Sequence, residues 1–272
     1  MILKYFTGVV LIVLLCSTGC RKDDNEIPGP VKDTAKRALV RSIEWDNGTT
    51  AIMEYNTDSN LVKIDYRFQN IVSTTVFNWT GKQFKEMYDD RSWYKNVFYY
   101  NGSNVSHYIN TAREASIPTS YTMEYGYTPA GKLITLKHYS TDEAGTVLKA
   151  SSQYQYNTQG ELASVVTQSG NSVFTHVVES FSEEINFDPL IYIEPTLSEN
   201  YTIYNLPVLS SAHKLPKKII RKVKIGTAEE FVDKIEETVF ETAHKRLNKI
   251  TTTITIPGMP QYTNKISAVF RY

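Results

Sequence analysis

The body of this 272-residue chain has no cysteine, because the two present, Cys16 and Cys20, both stand near the N-terminus. That absence excludes a disulfide framework, a Cys-ligated metal and a thiol nucleophile from the folded part. Net charge is absent too: 29 Lys and Arg balance 29 Asp and Glu. No overall field draws in nucleic acid, and no basic patch interleaved with aromatics offers it a surface. GxSxG, HExxH and P-loop patterns are missing. The five histidines (His107, His138, His176, His213 and His244) lie too far apart to pair at metal-ligand spacing. Neither a metal nor a cofactor is expected, and no enzymatic activity. A carboxylate-dependent hydrolase remains an alternative. It would need two carboxylates facing each other across a cleft, and Glu183, Glu184 and Asp188 are the candidates.

Tyrosine, by contrast, is abundant, with 19 residues. Its ring packs while its hydroxyl stays wet, which suits half-buried β-structure. Two stretches repeat one pattern: Tyr125-Gly126-Tyr127-Thr128-Pro129-Ala130-Gly131-Lys132-Leu133 and Tyr154-Gln155-Tyr156-Asn157-Thr158-Gln159-Gly160-Glu161-Leu162. Each reads as a strand with two rings on one face, a glycine turn and a return strand that starts on leucine. Tyr55, Ser59 and Leu61 keep the same spacing, with Ser in place of Gly. Elsewhere, Asp46-Asn47-Gly48 is a strong hairpin turn. Val62, Ile64, Tyr66 and Phe68 alternate with Lys63, Asp65 and Arg67, an apolar-in, charged-out strand. The expected fold is all-β: an antiparallel meander of about fifteen strands built from successive hairpins. It forms a curved sheet or something barrel-like, with almost no helix.

Residues 37–272 form one β domain in this reading. It is interrupted at 181–217, where Pro189, Pro195, Pro207 and Pro216 break the period. A short helix near Pro195–Tyr201 is expected there, in a loop that either carries function or closes one end of the sheet.

The N-terminus has a different character. Residues 1–19 carry one charge, Lys4, and a short apolar core from Gly8 to Leu15. That core is too short for a spanning helix, which takes about 20 apolar residues, and fits a signal peptide. Ser17-Thr18-Gly19-Cys20 resembles the bacterial lipobox, which implies cleavage before Cys20 and acylation of it. The usual pattern has Leu where this chain has Ser17. Residues 20–36 then read as a flexible tether, stiffened by Ile27-Pro28-Gly29-Pro30. Within it, Lys22-Asp23-Asp24 resembles the surface-export signal of Bacteroidota lipoproteins, and Asp33-Thr34-Ala35 resembles their O-glycosylation acceptor at Thr34.

The Tyr-x-Tyr-x3-Gly-x-Leu units resemble the YD, or Rhs-type, repeat. Asn157 and Thr128 stand where that repeat has Asp, and no arginine follows the glycine, so a toxin-enclosing shell is not implied. With the lipobox and tether, the chain resembles Bacteroidota surface lipoproteins of unknown function described as having a porin-like β fold. The resemblance implies an outer-membrane, lipid-anchored, cell-surface location. The functional expectation is a non-catalytic protein that meets the membrane through its lipid, binds a glycan or an outer-membrane protein, and touches no nucleic acid. Tyr125, Tyr127, Tyr154 and Tyr156 are the candidate ligand-binding aromatics, although cross-strand bracing is the favoured explanation of them. The structural alternative is an integral outer-membrane β-barrel. It would tolerate Lys63, Asp65, Arg67 and Lys137 only if all four faced the lumen.

Overall fold

A computed structural model describes residues 39–112, 121–142, 144–193 and 205–272. The leader, the tether, Cys20, Thr34 and the segment Pro195–Tyr201 lie outside the described residues.

Sixteen strands follow in order: β1 (Ser42–Trp45), β2 (Thr50–Tyr55), β3 (Leu61–Phe68), β4 (Ile71–Thr80), β5 (Gln83–Asp89), β6 (Tyr94–Asn101), β7 (Asn104–Ala112) and β8 (Tyr121–Tyr127). Then come β9 (Leu133–Asp142), β10 (Gly145–Tyr156), β11 (Leu162–Ser169), β12 (Ser172–Phe181), β13 (Pro216–Ile225), β14 (Phe231–Ala243), β15 (Arg246–Thr255) and β16 (Asn264–Arg271). Among the described residues, two short α-helices, α1 (Pro189–Ile193) and α2 (Leu206–Ser211), fall between β12 and β13. Each strand pairs antiparallel with its sequence neighbour, and β16 pairs with β1, so the meander closes into a barrel. The all-β hairpin expectation holds. Between open sheet and barrel, it is the barrel, with no free edge to manage.

Directly opposed residues share a face of an antiparallel pair, and faces alternate along a strand. The pairs Met53↔Ile64, Phe77↔Met87 and Tyr154↔Val165 therefore share the inner face, and all six side chains are buried. Phe77, Phe84, Phe98 and Tyr108 stack inside as a ladder with centroids 4.8–6.0 Å apart. The outer face carries charge. Glu54 opposes Lys63, Lys218 opposes Glu237 and Glu241 opposes Lys249. Lys63 also reaches Asp65 at 2.8 Å, and Lys95 reaches Glu86 at 2.7 Å. The seam between β1 and β16 is held by Arg271, whose Nε and Nη2 donate to Glu44 at 2.8 and 2.9 Å.

The meander gives the barrel two ends. At the near end lie the β2–β3, β4–β5, β6–β7, β8–β9, β10–β11 and β14–β15 turns and the long β12–β13 connection, and there the described chain enters and leaves. The described parts of the 181–217 segment, on either side of 194–204, close this end. Leu190, Ile191, Val208, Leu209 and Leu215 join the barrel core. Backbone bonds between Ser182 and Leu215 and from Ile185 to His213 zip its two arms. Asn205, fully buried, caps α2 by accepting from Val208 N and donates to the Tyr154 hydroxyl at 3.0 Å.

Candidate functional site

The near end is occupied by structure. Tyr154 is 4% exposed and Tyr125 9% exposed, both packed inside the barrel. Tyr127 and Tyr156 are half-buried. Tyr127 donates its hydroxyl to Val105 O at 2.7 Å. That bond is one of a series around the barrel end: Tyr55 to Val40 O, Trp79 Nε1 to Leu61 O, Tyr100 to Phe84 O and Tyr272 to Leu247 O. Each ring at a strand end braces a backbone carbonyl on a neighbouring hairpin. Tyr156 occupies the equivalent place, yet its buried hydroxyl has no partner. Burial pushes the hydroxyls of Tyr100 and Tyr156 up to about 12 and those of Tyr127 and Tyr154 higher still, so all four stay protonated. Tyr125 and Tyr127 also touch a shallow cleft with Asn101, Asn104 and Ser106.

Two of the carboxylates considered for hydrolysis, Glu184 and Asp188, make local bonds. Glu184 pairs with Lys245 at 2.8 Å in solvent, and that bond holds its pKa below the usual carboxylate range. Asp188 accepts from Leu190 N at the start of α1.

Toward the far end the inner face changes character. His176 opposes Arg221, which opposes Lys234, and Ile219 opposes Glu236. Since His176 also opposes the fully buried Val165, this whole row points inward. A register shift on β14 leaves Asp233 as an extra residue facing Arg221. The guanidinium takes Asp233 through Nε at 3.0 and 2.9 Å and through Nη2 at 2.5 Å. Lys234 Nζ lies 2.6 Å from Glu236 Oε1. These four side chains are 16–26% exposed, inside the wall but reached by water. Directly opposite Arg221 on the neighbouring strand, His176 is 6% exposed and its Nδ1 has no partner. Burial, then the neighbouring Arg221 and Lys234 cations, lower its pKa to about 4, so it is neutral near pH 7. Buried Thr167, Ser152, Thr238 and Asn96 extend the polar inner face, and Phe174 stands two residues from His176 on the same side. Among the described residues no three His, Cys, Asp or Glu side chains gather to hold a metal.

Several exposed apolar side chains stand among the polar turns of the far end. Phe68, Ile71, Trp93, Val147, Phe231 and Tyr262 all sit there and are 37–65% exposed.

Sequence reasoning missed the inward charges. One signal was available: Lys234 and Glu236 are two apart on a strand, so they must share a face.

The molecule is thus a closed sixteen-stranded antiparallel barrel with an apolar interior, a charged exterior and a polar cluster inside its far half. No family model and no curated protein matches the sequence. Among solved structures it is similar to a porin-like protein from Bacteroides vulgatus ATCC 8482. Identity is 11%, coverage is 86% of this chain and 99% of that one, and the TM-score is 0.47. It is also similar to part of the TcdB2–TccC3 structure, at 12% identity and a TM-score of 0.33. There 83% of this chain spans 14% of the other.

Proposed function

We propose that this chain is a non-catalytic binding protein of the outer membrane, lipid-anchored at Cys20 and displayed at the cell surface. Its barrel stands in water and offers its far end to a glycan or protein partner. The observation that carries this reading is the polarity of the wall. A spanning barrel needs an apolar outer band about 25 Å tall around a polar lumen. Here Lys63, Asp65, Arg67 and Lys137 face outward, on the faces opposite the inner residues Ile64, Tyr66 and Leu136. The apolar ladder is inside. Since the described chain enters at the near end, a tether there leaves the far-end tips unencumbered.

Closure favours a second reading, an integral outer-membrane barrel. Sixteen is an even number of antiparallel strands with no edge left over, as in bacterial outer-membrane barrels. One preparation separates the two. Residues 37–272, expressed without the leader and tether, are expected to be monodisperse in buffer without detergent. A protein that stays folded only in detergent or bilayers would establish the integral barrel instead. For the anchor, Cys20→Ala in the full chain is expected to move the protein from the membrane fraction to the soluble fraction.

A further inference from the structure

We propose that the inner-face cluster of His176, Lys234 and Glu236, with Phe174 beside it and the Arg221–Asp233 pair above, is a binding site for an uncharged, hydroxyl-rich ligand, the end of a saccharide chain. The inference deepens the binding role proposed above and rests on it. Three observations lead to it.

The first is charge balance. Two cations and two carboxylates share this stretch of the inner face and are already matched, Arg221 with Asp233 and Lys234 with Glu236. A ligand with net charge would leave these partly buried groups with an uncompensated charge. A neutral polyol would not, because a hydroxyl both donates and accepts. Glu236 holds an acceptor oxygen beyond the one that meets Lys234, and an ammonium has three donors.

The second is His176. Its Nδ1 is buried without a partner, on an inner face whose neighbouring Lys234 and Glu236 side chains are paired and partly wet. Buried polar atoms are nearly always bonded, and an orphan carries a desolvation cost that a hydroxyl placed there would relieve. The imidazole is neutral near pH 7, so it matches an uncharged group better than an anion.

The third is the ring. Phe174 opposes Thr167 and Val223 on the inner face, and its half-buried ring stands two residues from His176 on the far-end side, as the more buried Val178 does on the near-end side. A sugar presents an apolar C–H face together with its hydroxyls, and the juxtaposition of ring and paired ions suits both. A metal-dependent alternative finds no ligand set among the described residues.

The test uses the full chain and an array of neutral linear oligosaccharides, beside sialylated and sulfated ones and a peptide set. Binding of neutral saccharides is expected, weakened at least tenfold in both Glu236→Gln and Lys234→Met and unchanged in Lys63→Met on the outer wall. If a variant fails to fold, the His176 ring resonances of the unmodified protein serve instead. They are expected to shift on adding the saccharide that binds. The proposal is overturned by binding confined to charged glycans or peptides, by binding that survives both substitutions, or by binding that leaves His176 unmoved. Absence of any saccharide binding overturns it as well. A partner indifferent to Lys234 and Glu236 removes this site but leaves the water-standing binding barrel intact, whereas a need for detergent removes the barrel reading first.

Discussion

The two ends of this barrel are built by the same hairpins and have diverged. At the near end three turns are chemically one turn. Asn56, Thr128 and Asn157 each receive a backbone bond three residues on, from Ser59, Gly131 and Gly160, and each donates its own N–H to the carbonyl four residues on. Around them run the ring-to-carbonyl braces, and the described parts of 181–217 fill the middle. The far end shows that bonding once, at the β1–β2 turn, where Trp45 receives from Gly48 and donates to the Thr49 carbonyl. Its inner face carries paired ions and a neutral histidine, and several apolar side chains stand exposed among its polar turns. Repetition marks the end that holds the fold together. Variation marks the end where the backbone is already secured, so side chains there are free to be costly.

The sharpest way to break this comparison is a matched pair of deletions. Phe84 is 4% exposed and touches Phe77, Trp79 and Phe98, so Phe84→Ala at the near end is expected to cost about 3–5 kcal/mol. Phe174→Ala, half-buried at the far end, is expected to cost roughly half as much, because a partly solvated ring leaves less cavity behind. Urea unfolding monitored by tryptophan fluorescence reads both. Equal costs would mean that the far half is as tightly packed as the near half.

Acid provides a probe of the far end alone. His176 titrates near 4 in the fold against about 6.5 unfolded, because burial and the Arg221 and Lys234 cations disfavour its charge while Asp233 partly offsets them. Between those values the unfolded chain binds the extra proton, so stability rises with pH and is lost on acidification. The full difference is about 3 kcal/mol as an upper bound, fully present above pH 6.5. His138 is shifted in the same direction by burial and Lys149 and adds to the slope. In His176→Gln the loss between pH 6.5 and 4.5 is expected to shrink by more than half. Glu44, Asp65, Glu161 and Glu184, whose pKa values are all lowered, begin to contribute only at the acid end of that window, as their unfolded carboxylates take up protons. An unchanged slope would show that His176 is not the group responsible.

What could be read from the chain divides along the same line. The hairpins, the repeated turn and even its Ser59 variant were legible, because turn chemistry and period-2 alternation are local. Alternation says which residues share a face, but not which face is inside. On β13, Lys218-Ile219-Ile220-Arg221-Lys222-Val223-Lys224 puts charge on both faces, so its sequence cannot orient it. On β14 the extra residue at Asp233 reverses the phase midway. The inward ion pairs were hidden for that reason. Closure was hidden as well, since the Arg271–Glu44 seam joins residues 227 positions apart. Tyr125, Tyr127, Tyr154 and Tyr156 stood out as a motif, yet the structure places them among the packing and bracing of the near end. The braces escaped notice because Trp79 serves where the motif has tyrosine.

Within the near end, the braces offer a finer comparison. Tyr127→Phe removes a hydroxyl that donates to Val105 O and strands that half-buried carbonyl; a loss of about 1 kcal/mol is expected. Tyr156→Phe removes a buried hydroxyl that has no partner, so a change near zero, or a slight gain, is expected. Thermal melts of the two single variants decide it. Equal losses would show that Tyr156 makes a brace of its own.

The smallest effect tests whether Ser59, Gly131 and Gly160 do the same job. All three hold left-handed backbone, with φ of +64°, +79° and +82°. A side chain there crowds the following carbonyl, and glycine escapes that penalty. Ser59 bears the strain because Asn56 Oδ1 accepts from both Asp58 N and Asn60 N and holds the loop shut around it. The repeat therefore predicts opposite signs at two positions. Ser59→Gly is expected to gain roughly 0.5 kcal/mol, reduced from the full left-handed penalty by the greater freedom of glycine in the unfolded chain. Gly131→Ala, where the added methyl would meet only Asn104 at ordinary contact distance, is expected to lose about 1 kcal/mol through backbone strain alone. If Ser59→Gly destabilises instead, the serine side chain contributes something the other two turns do not have, and the three turns are alike in bonding but not in what holds them.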